Sequence, residues 1–287
     1  MKVFLVPNYY NHEAIESGLA LELWLTRQGY DVTWAADQRS GIALPPDIEG
    51  SDLVISLGGD GTLLRAARIV GTREIPILGL SYGHVGFLTA ASPAERDVLS
   101  VVSDALSGEM HVSRRSTLAC EVFSRRENGT EDAQVVLGLN DVALTRGPTS
   151  AIVEFDMSVS GHHIDRLRAD GVVVATATGS TGYALSAGGP IVSPDYNGLV
   201  CVPIAPHTIQ ARAFLTSPSD VVEIELSRDR PVLATLLVDG QVVNVDGTLD
   251  RFRARRGRAD VLLLDYGPES FYASVSRVFY GVRRDDR

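Results

Sequence analysis

Residues 53–62 read Leu-Val-Ile-Ser-Leu-Gly-Gly-Asp-Gly-Thr, and this stretch decides the fold of the first part of the chain. A short apolar segment is followed by glycines, and then by helix-favouring residues at 63–68. Strand, glycine turn and helix together make an anion site, because glycine allows close backbone approach and a helix start presents unpaired N–H groups. A carboxylate at Asp60 repels phosphate unless a metal or a substrate hydroxyl lies between them. The pattern therefore indicates phosphoryl transfer, with Asp60 as base or metal partner.

The stretch belongs to an alternating series of strands and helices in the first hundred residues. Apolar runs and helical periodicity predict strands at Val3–Val6, Asp31–Ala35, Leu53–Leu57 and Ile77–Leu80, and helices at Glu13–Gln28 and Leu63–Val70. Strands separated by helices predict a parallel sheet in a doubly wound α/β domain. Ligands bind such sheets beyond the carboxyl ends of the strands, which is where the glycine turn lies.

From about Arg114 the pattern changes to short β-type runs. Strands are predicted at Thr117–Ser124, Gln134–Leu139, Ile152–Val159, Gly171–Ala175, Val221–Leu226, Leu233–Val238 and Asp260–Leu264. Asn-Gly, Ser-Gly and Asp-Gly pairs lie near or between them and predict turns of an antiparallel β domain. Helical spacing returns over Glu269–Tyr280. We therefore predict an α/β domain at 1–110, completed by a C-terminal helix at about 268–287, and a β-rich domain at 111–267.

Composition restricts the function. The 287 residues carry a net charge of −10 and a pI of about 5.1, which argues against nucleic acid and anionic membrane as main partners. The basic run at 251–258 is predicted to be a solvated strand end or turn. Cys120 and Cys201 lack metal-ligand spacing and are expected to be buried thiols in a reducing compartment. No apolar run reaches the ~18 residues of a membrane span, so the cytoplasm is the expected location.

A second segment that carries functional information is 170–190, which reads DGVVVATATGSTGYALSAGGP. An apolar strand enters a turn dense in hydroxyls and glycine. The hydroxyls of Thr178, Ser180, Thr181 and Ser186 either cap the helix that follows or contact a polar ligand such as a base or ribose, and their number favours the ligand. Tyr183 either stacks on a base or fills the core.

Weaker signals occur elsewhere, and each also has a structural explanation. Asn140-Asp141 after an apolar run suits two ribose hydroxyls or an Asx turn. The glycine-rich loop at 79–89 contains His84, which by itself does not indicate a catalyst. His207 after Pro203–Pro206 is predicted to be structural or ligand-lining, and Asp239-Gly240 is predicted to be a hairpin turn.

Taken together, these blocks resemble the NAD kinase family. The order GGDGT, GxxxGxxGFLT, Asn-Asp, DG, TGSTxY with SAGGP, APH and DGQ runs from about Leu53 to Gln241. The resemblance implies a Rossmann-like domain plus a β-sandwich domain, usually as a homodimer or homotetramer. It implies transfer of the ATP γ-phosphoryl to the 2′-hydroxyl of the adenosine ribose of NAD, giving NADP. A divalent ion, Mg²⁺, would accompany the phosphates, and polyphosphate stays open as an alternative donor to ATP.

The resemblance also implies roles for individual residues. Asp60 is the proton acceptor, and no protein metal ligand is expected. Phosphate binding falls on Gly58, Gly59 and Thr62. The substrate-binding positions are Gly61, Arg65, Asn140, Asp141, Arg168, Asp170, Thr178, Thr181, Gly182, Tyr183, Ala184, Leu185, Ser186, Ala205 and Gln241. Asp170 would bind the nicotinamide half of NAD.

Three positions depart from the family pattern, and two other functions stay open. Asp141 replaces a longer Glu, Ala177 replaces Pro, and Gly182 replaces an Ala that would press on the adenine. GGDGT is shared with diacylglycerol and sphingosine kinases, so a lipid kinase is one alternative. A nucleotide-sensing homologue with weakened catalysis is the other.

Overall fold

The computed structural model describes residues 1–37, 48–83, 86–147, 152–227 and 233–281. His84, singled out above, lies outside the described residues. The described helices are α1 His12–Arg27, α2 Asp60–Val70, α3 Val98–Ser107, α4 Tyr183–Ser186 and α5 Glu269–Tyr280. The described strands are β1 Lys2–Pro7, β2 Asp31–Trp34, β3 Leu53–Leu57, β4 Ile77–Leu80, β5 His111–Arg125, β6 Glu131–Gly138, β7 Asp141–Arg146, β8 Val153–Val159, β9 His162–Ala169, β10 Gly171–Ala175, β11 Val200–Ile204, β12 Phe214–Leu215, β13 Val221–Leu226, β14 Ala234–Val238, β15 Gln241–Val242 and β16 Thr248–Asp265.

The chain forms two compact units, Met1–Arg114 with Val261–Arg287, and Arg115–Asp260. In the first unit the strands lie in the order β2-β1-β3-β4, all parallel, and the end of β16 adds a further parallel strand beside β4. Strand β3 is buried along its whole length, as its continuous apolar run requires in a sheet covered on both faces. The predicted α/β fold of this part is confirmed.

Local signals define the helices of the first unit. The Asn11 side chain caps α1 by accepting from the backbone N–H of Ala14. Helix α2 starts at Asp60, three residues before the predicted start, because the glycine turn itself forms its first turn. Helix α3 was not predicted, although the Asp97 side chain caps it and Gly108 ends it with φ of 78°. Helix α5 has the predicted bounds.

The second unit is a β-sandwich. One antiparallel sheet has the order β12-β11-β10-β7-β14-β15, and the other contains β16, β13, β8 and β9, with β5 and β6 attached. Alternate side chains of both sheets meet in one apolar core that contains Phe155, Phe252 and the free thiols of Cys120 and Cys201. The predicted β-rich fold is confirmed, and the expected burial of both thiols is observed.

The expectation for the basic run is wrong. Residues 251–258 lie inside the long strand β16, where alternate arginines pair with carboxylates of neighbouring strands. Arg251 contacts Glu131 at 2.9 Å and Arg255 contacts Glu121 at 3.2 Å, while Arg253 pairs with Glu223. Cross-strand partners of opposite charge stabilise such a ladder modestly.

No helix among the described residues is both long enough and apolar enough to cross a bilayer.

Candidate active site

The carboxylate of Asp60 is held by the glycine-rich loop that follows β4. Asp60 is the first residue of α2, directly after the buried strand β3 and the turn Gly58-Gly59. Its Oδ2 accepts from the backbone N–H of Phe87 at 3.0 Å, and its Oδ1 accepts from the N–H of Leu88 at 3.3 Å. Each carboxylate oxygen is therefore oriented by a backbone donor.

The loop reaches Asp60 because it is fastened to the end of β4. Ser81 donates its N–H to the carbonyl of Ala91 at 2.9 Å, and Ala90 donates to Gly79 at 2.8 Å. Gly86 lies against the carboxylate itself, since a Cβ at this position would stand 2.2 Å from both oxygens of Asp60. Only glycine fits there without moving the carboxylate or the loop.

Burial and these hydrogen bonds act on the Asp60 pKa in opposite directions. Burial is the larger effect and raises the pKa above its usual value of 3.8, because the charged form loses hydration. The N–H groups of Phe87 and Leu88 lower the pKa, because they bind the charged form. A carboxylate with a raised pKa is a stronger proton acceptor, which suits a general base.

The glycine turn leaves three N–H groups for an anion. Among the described residues no backbone hydrogen bond is found for the N–H groups of Gly59, Asp60 and Gly61, and all three point from the first turn of a helix. Gly58 donates to Leu80, and Thr62 donates to Gly59, each at 2.9 Å. The N–H groups of Gly58 and Thr62 thus already have partners within the fold, and phosphate binding at these two positions stays a prediction.

Arg65 lies one turn further along α2, half-buried, and has a structural role. Its guanidinium donates to the carbonyl of Pro7, the last residue of β1, and to that of Ala36, two residues after β2. Burial is the largest influence on its pKa and lowers it. Arg65 thus fastens two strand ends beside the glycine turn.

In the second unit, Asn140 lies in the short turn after β6, which ends at Gly138, and Asp141 is the first residue of β7. The carboxylate of Asp239 accepts three backbone N–H groups, from Leu139 at 2.9 Å, Asn140 at 2.7 Å and Asp141 at 3.3 Å. Asp239 itself has φ of 47° in the hairpin between β14 and β15, so the predicted hairpin turn is present. This carboxylate fixes the backbone of the Asn140-Asp141 pair.

The Asp141 side chain is buried next to another carboxylate. Burial is the main reason that its pKa rises to about 7, and the nearby charge of Asp239 raises it further. The Oδ1 atom of Asn140 is also buried, with no hydrogen-bond partner among the described residues. Buried polar groups without partners are unusual, so this pair is ready to bind a polar ligand.

We expect Asp141 to make stability fall as pH rises. Because its folded pKa of about 7 exceeds the unfolded value of 3.8, the native state holds an extra proton between these values, and stability is lost as that proton leaves. Asp141→Asn should remove this dependence. Urea unfolding at pH 5 and pH 8 should show the wild type losing on the order of 2 to 3 kcal/mol more than the variant. If the free energy of unfolding changes with pH by the same amount in both proteins, Asp141 is not the source of the pH dependence.

The hydroxyls of the TGST turn mainly hold the turn together. Thr176 donates to the carbonyl of Leu139 at 2.6 Å and accepts from the N–H of Gly179. Ser180 donates to Ala177 and accepts from Val192, while Thr181 donates to Thr178. The helix-capping explanation is wrong, since neither the 3₁₀ turn at 178–181 nor α4 has a side-chain cap. The density of hydroxyls therefore reflects the structure of the turn, and contact of these hydroxyls with a ligand stays a prediction.

This turn packs against the Asn140-Asp141 pair. A Cβ at Gly179 would stand 2.1 Å from the Asn140 carbonyl oxygen, so glycine is required there. A Cβ at Gly182 would stand 3.7 Å from Asn140 Nδ2 and 3.9 Å from Asp141 Oδ2. The structure thus brings together Asn140, Asp141 and residues 178–182.

The four residues of α4 differ in exposure. Tyr183 is 41% exposed, which removes the core-filling explanation, and Ser186 is exposed as well. Ala184 is fully buried in the core, and Leu185 is half-buried. Of the predicted ligand contacts in α4, Tyr183 and Ser186 are the accessible ones.

The remaining predicted residues lie elsewhere. Arg168, Asp170 and Ala205 cluster at the start of β10, whereas Asp141 is opposite Ala175 at its end. Asp170 pairs with Arg146 at 3.3 Å, and Arg168 approaches Glu154 at 3.8 Å. Ala205 has φ of 43°, a conformation that non-glycine residues rarely adopt. Gln241 is exposed in β15.

Comparisons with known proteins match both units. The family model of the ATP-NAD kinase N-terminal domain matches residues 33–109, and that of the C-terminal domain matches residues 139–265. The NAD kinase of Magnetococcus marinus is 37% identical over 285 residues, covering 95% of this chain and 91% of that protein. The chain belongs to the NAD kinase family. The NAD kinase of Geobacter metallireducens is 42% identical over 205 residues, covering 71% and 70% of the two chains.

Solved structures of the family have the same fold. An NAD kinase from Archaeoglobus fulgidus in complex with ATP is 28% identical, with a TM-score of 0.76, and the match covers 97% of this chain and 98% of that chain. A yeast NADH kinase complexed with NADH has a TM-score of 0.84 at 22% identity, covering 100% and 89%. The second likeness concerns the fold alone.

Sequence reasoning missed three contributors to the site of this family member. The N–H groups of Phe87 and Leu88 were not assigned to Asp60, because backbone donors 27 and 28 residues away leave no side-chain pattern. The Asp239 carboxylate was assigned only to a hairpin. The sequence signal was present, since Asp-Gly-Gln stands between two apolar runs, but its partners lie about 100 residues earlier.

Proposed function

We propose that this chain is an NAD kinase that transfers the γ-phosphoryl of ATP to the 2′-hydroxyl of the adenosine ribose of NAD, giving NADP. The observation that carries the proposal is the half-buried carboxylate of Asp60, held by two N–H groups at the start of a helix. It lies beside three N–H groups that have no hydrogen-bond partner among the described residues. Family membership supports the same reaction.

Asp60 is proposed as the general base. Its carboxylate accepts the proton of the 2′-hydroxyl while that oxygen attacks phosphorus, and the raised pKa makes it a better acceptor. The N–H groups of Gly59, Asp60 and Gly61 are proposed to bind oxygens of the phosphate donor, where they stabilise the charge that develops during transfer.

The second unit is proposed to bind the dinucleotide. Asn140 and Asp141 present one amide and one carboxyl group that suit the two hydroxyls of a ribose, and the accessible Tyr183 suits stacking on a base. Thr178, Thr181, Gly182 and Ser186 surround this position. Arg168, Asp170 and Ala205, at the opposite end of β10, are proposed to contact the other half of the dinucleotide. Ala184, Leu185, Gln241 and Arg65 are proposed to act through the backbone or through the local fold.

Mg²⁺ is proposed to enter with ATP as part of the substrate. The described residues contain no cluster of three or more His, Cys, Asp or Glu side chains that would hold a metal ion. We also propose the cytoplasm as the location, a homodimer or homotetramer as the assembly, and the division at residues 110 and 267 as the domain boundaries.

One assay tests the proposed function and separates it from the alternatives. Purified protein is incubated with Mg²⁺, ATP and NAD, and NADP is measured with an NADP-specific dehydrogenase. Parallel reactions replace ATP with polyphosphate, NAD with NADH, and NAD with diacylglycerol or sphingosine. We expect NADP from ATP and NAD. Phosphorylation of a lipid without NADP would support the lipid kinase, and binding of NAD without turnover would support the sensing homologue.

A further inference from the structure

The ring of Phe87 packs against the C-terminal helix. Its centroid lies 5.9 Å from that of Phe279 in a stacked arrangement with an interplanar angle of 25°, and 6.4 Å from that of Phe271 at 52°. These separations lie within the range in which aromatic pairs attract one another. Phe271 is buried, whereas Phe279 is 40% exposed. The backbone N–H of the same Phe87 holds Oδ2 of Asp60.

A side chain and a backbone N–H of one residue move together. When Phe279 and Phe271 fix the ring of Phe87, they also restrict the orientation of its peptide group. Gly86, which precedes Phe87, has no side chain to restrict the loop from the other side, and a Cβ there would meet the Asp60 carboxylate. The loop therefore depends on contacts with its neighbours for a fixed position.

We propose that Phe279 and Phe271 of the C-terminal helix are positioning residues for the catalytic base, acting through Phe87 to hold the Asp60 carboxylate in its reactive orientation. This inference rests on the proposed function, because it assigns the helix to the same reaction. It gives α5 a role in catalysis although α5 lies about 210 residues after Asp60 in the chain.

The helix is also fastened to the segment that follows the loop. Arg277 contacts Glu95 at 3.1 Å, and the exposed fractions of the two side chains are 40% and 48%. Such a pair contributes little by itself, but it lies on the same helix as Phe271 and Phe279. This ion pair is a second contact that restricts the position of the two aromatic rings relative to the loop that carries Phe87.

The charged groups near Asp60 do not offer a competing explanation. The pKa of Asp60 is shifted by burial and by the N–H groups of Phe87 and Leu88, and no charged side chain of the described residues contributes. Arg65, the next charged group along α2 on the described chain, donates to the carbonyls of Pro7 and Ala36. On α5, Arg277 is directed to Glu95. Loss of the Phe87 donor would therefore remove one of the two hydrogen bonds that lower the pKa of Asp60, and that pKa would rise.

The test compares Phe279→Ala with Tyr280→Ala, a neighbouring aromatic residue that is 76% exposed. Phe279→Leu provides a second variant that keeps apolar volume and helix preference without a ring, and Phe279→Tyr provides the conservative rescue. NADP formation is measured between pH 5 and pH 9. For Phe279→Ala and Phe279→Leu we expect kcat to fall about fivefold or more near pH 6, with the acid limb moved upward by roughly half a pH unit. Tyr280→Ala and Phe279→Tyr should retain the wild-type profile.

A titration independent of turnover keeps this test separate from the proposed function. The carboxyl resonance of Asp60, assigned by its absence in Asp60→Asn, is followed by NMR in the wild type and in Phe279→Ala. An upward shift of the Asp60 pKa supports the positioning role even if the wild type makes no NADP, in which case only the proposed function fails. An unchanged pKa and an unchanged acid limb, with only a lower melting temperature, would overturn the inference. Equal effects of Phe279→Ala and Tyr280→Ala would also overturn it.

Discussion

Asp60→Asn is expected to lower kcat for NADP formation by about 10²- to 10⁴-fold, the range that general bases contribute. The amide keeps the size of the carboxylate but has little affinity for the proton of a hydroxyl. It also places one N–H donor against the donating N–H groups of Phe87 and Leu88, so the side chain loses one of its two anchors. Binding of NAD should largely survive, because the proposed dinucleotide contacts lie in the second unit.

The measurement is a comparison of kcat with the dissociation constant for NAD, determined by calorimetry without ATP. Asp31→Asn, an exposed carboxylate in the same unit, controls for the loss of one negative charge. A kcat for Asp60→Asn close to that of the wild type would remove Asp60 as the base. A parallel loss of NAD binding and turnover would instead assign Asp60 to substrate binding.

Gly86→Ala is expected to lower kcat almost as strongly, by about 10²-fold. The added Cβ would stand 2.2 Å from both oxygens of Asp60, a separation that real contacts do not reach. Either the carboxylate turns away from the N–H groups of Phe87 and Leu88, or the loop that carries those groups moves. Both changes disorient the base, and misplacement by about 1 Å is enough to cost 10²-fold in rate. Overpacking should also lower the free energy of unfolding by about 1 to 3 kcal/mol.

Gly83→Ala is the matched control for this prediction. It lies in the same loop, but a Cβ there meets no atom of the described residues within 4 Å. Steady-state kinetics and urea unfolding of the two variants separate the close contact with Asp60 from a general effect of alanine on the loop. If Gly83→Ala is as damaging as Gly86→Ala, flexibility of the loop rather than the contact explains the loss.

The parts of the fold that local patterns determine were predicted from the sequence. Strand β3, the glycine turn and helix α5 follow from short apolar runs, glycine and helical spacing, and their bounds match or differ by a few residues. The edge strand β9 was missed because most of its residues are exposed and polar. It therefore contains no apolar run that would indicate a strand. Strand β11 was missed because Pro203 interrupts its apolar run.

The candidate site was predictable as residue types but not as contacts. The position of Asp60 after two glycines predicted that it lies in a turn at the start of a helix. Such a turn forms from residues that are neighbours in the sequence, so local patterns reveal it. The Asp239 carboxylate, in contrast, bonds residues about 100 positions earlier, and only the pairing of β14 with β7 brings them together. The hydroxyls of Ser180 and Thr181 donate to backbone carbonyls of the turn itself. Residue types do not reveal such partners, so the sequence analysis assigned these hydroxyls to a ligand.

The two thiols in the sandwich core make the opening of the second unit chemically observable. Cys120 and Cys201 are fully buried, and burial raises the pKa of each thiol to about 12. At neutral pH only about one thiol in 10⁵ is then a thiolate, the form that reacts with alkylating reagents. Alkylation of the native chain must therefore wait for the two sheets to separate. The rate at which iodoacetamide modifies these cysteines thus reports how often the sandwich opens, without any substitution in the chain.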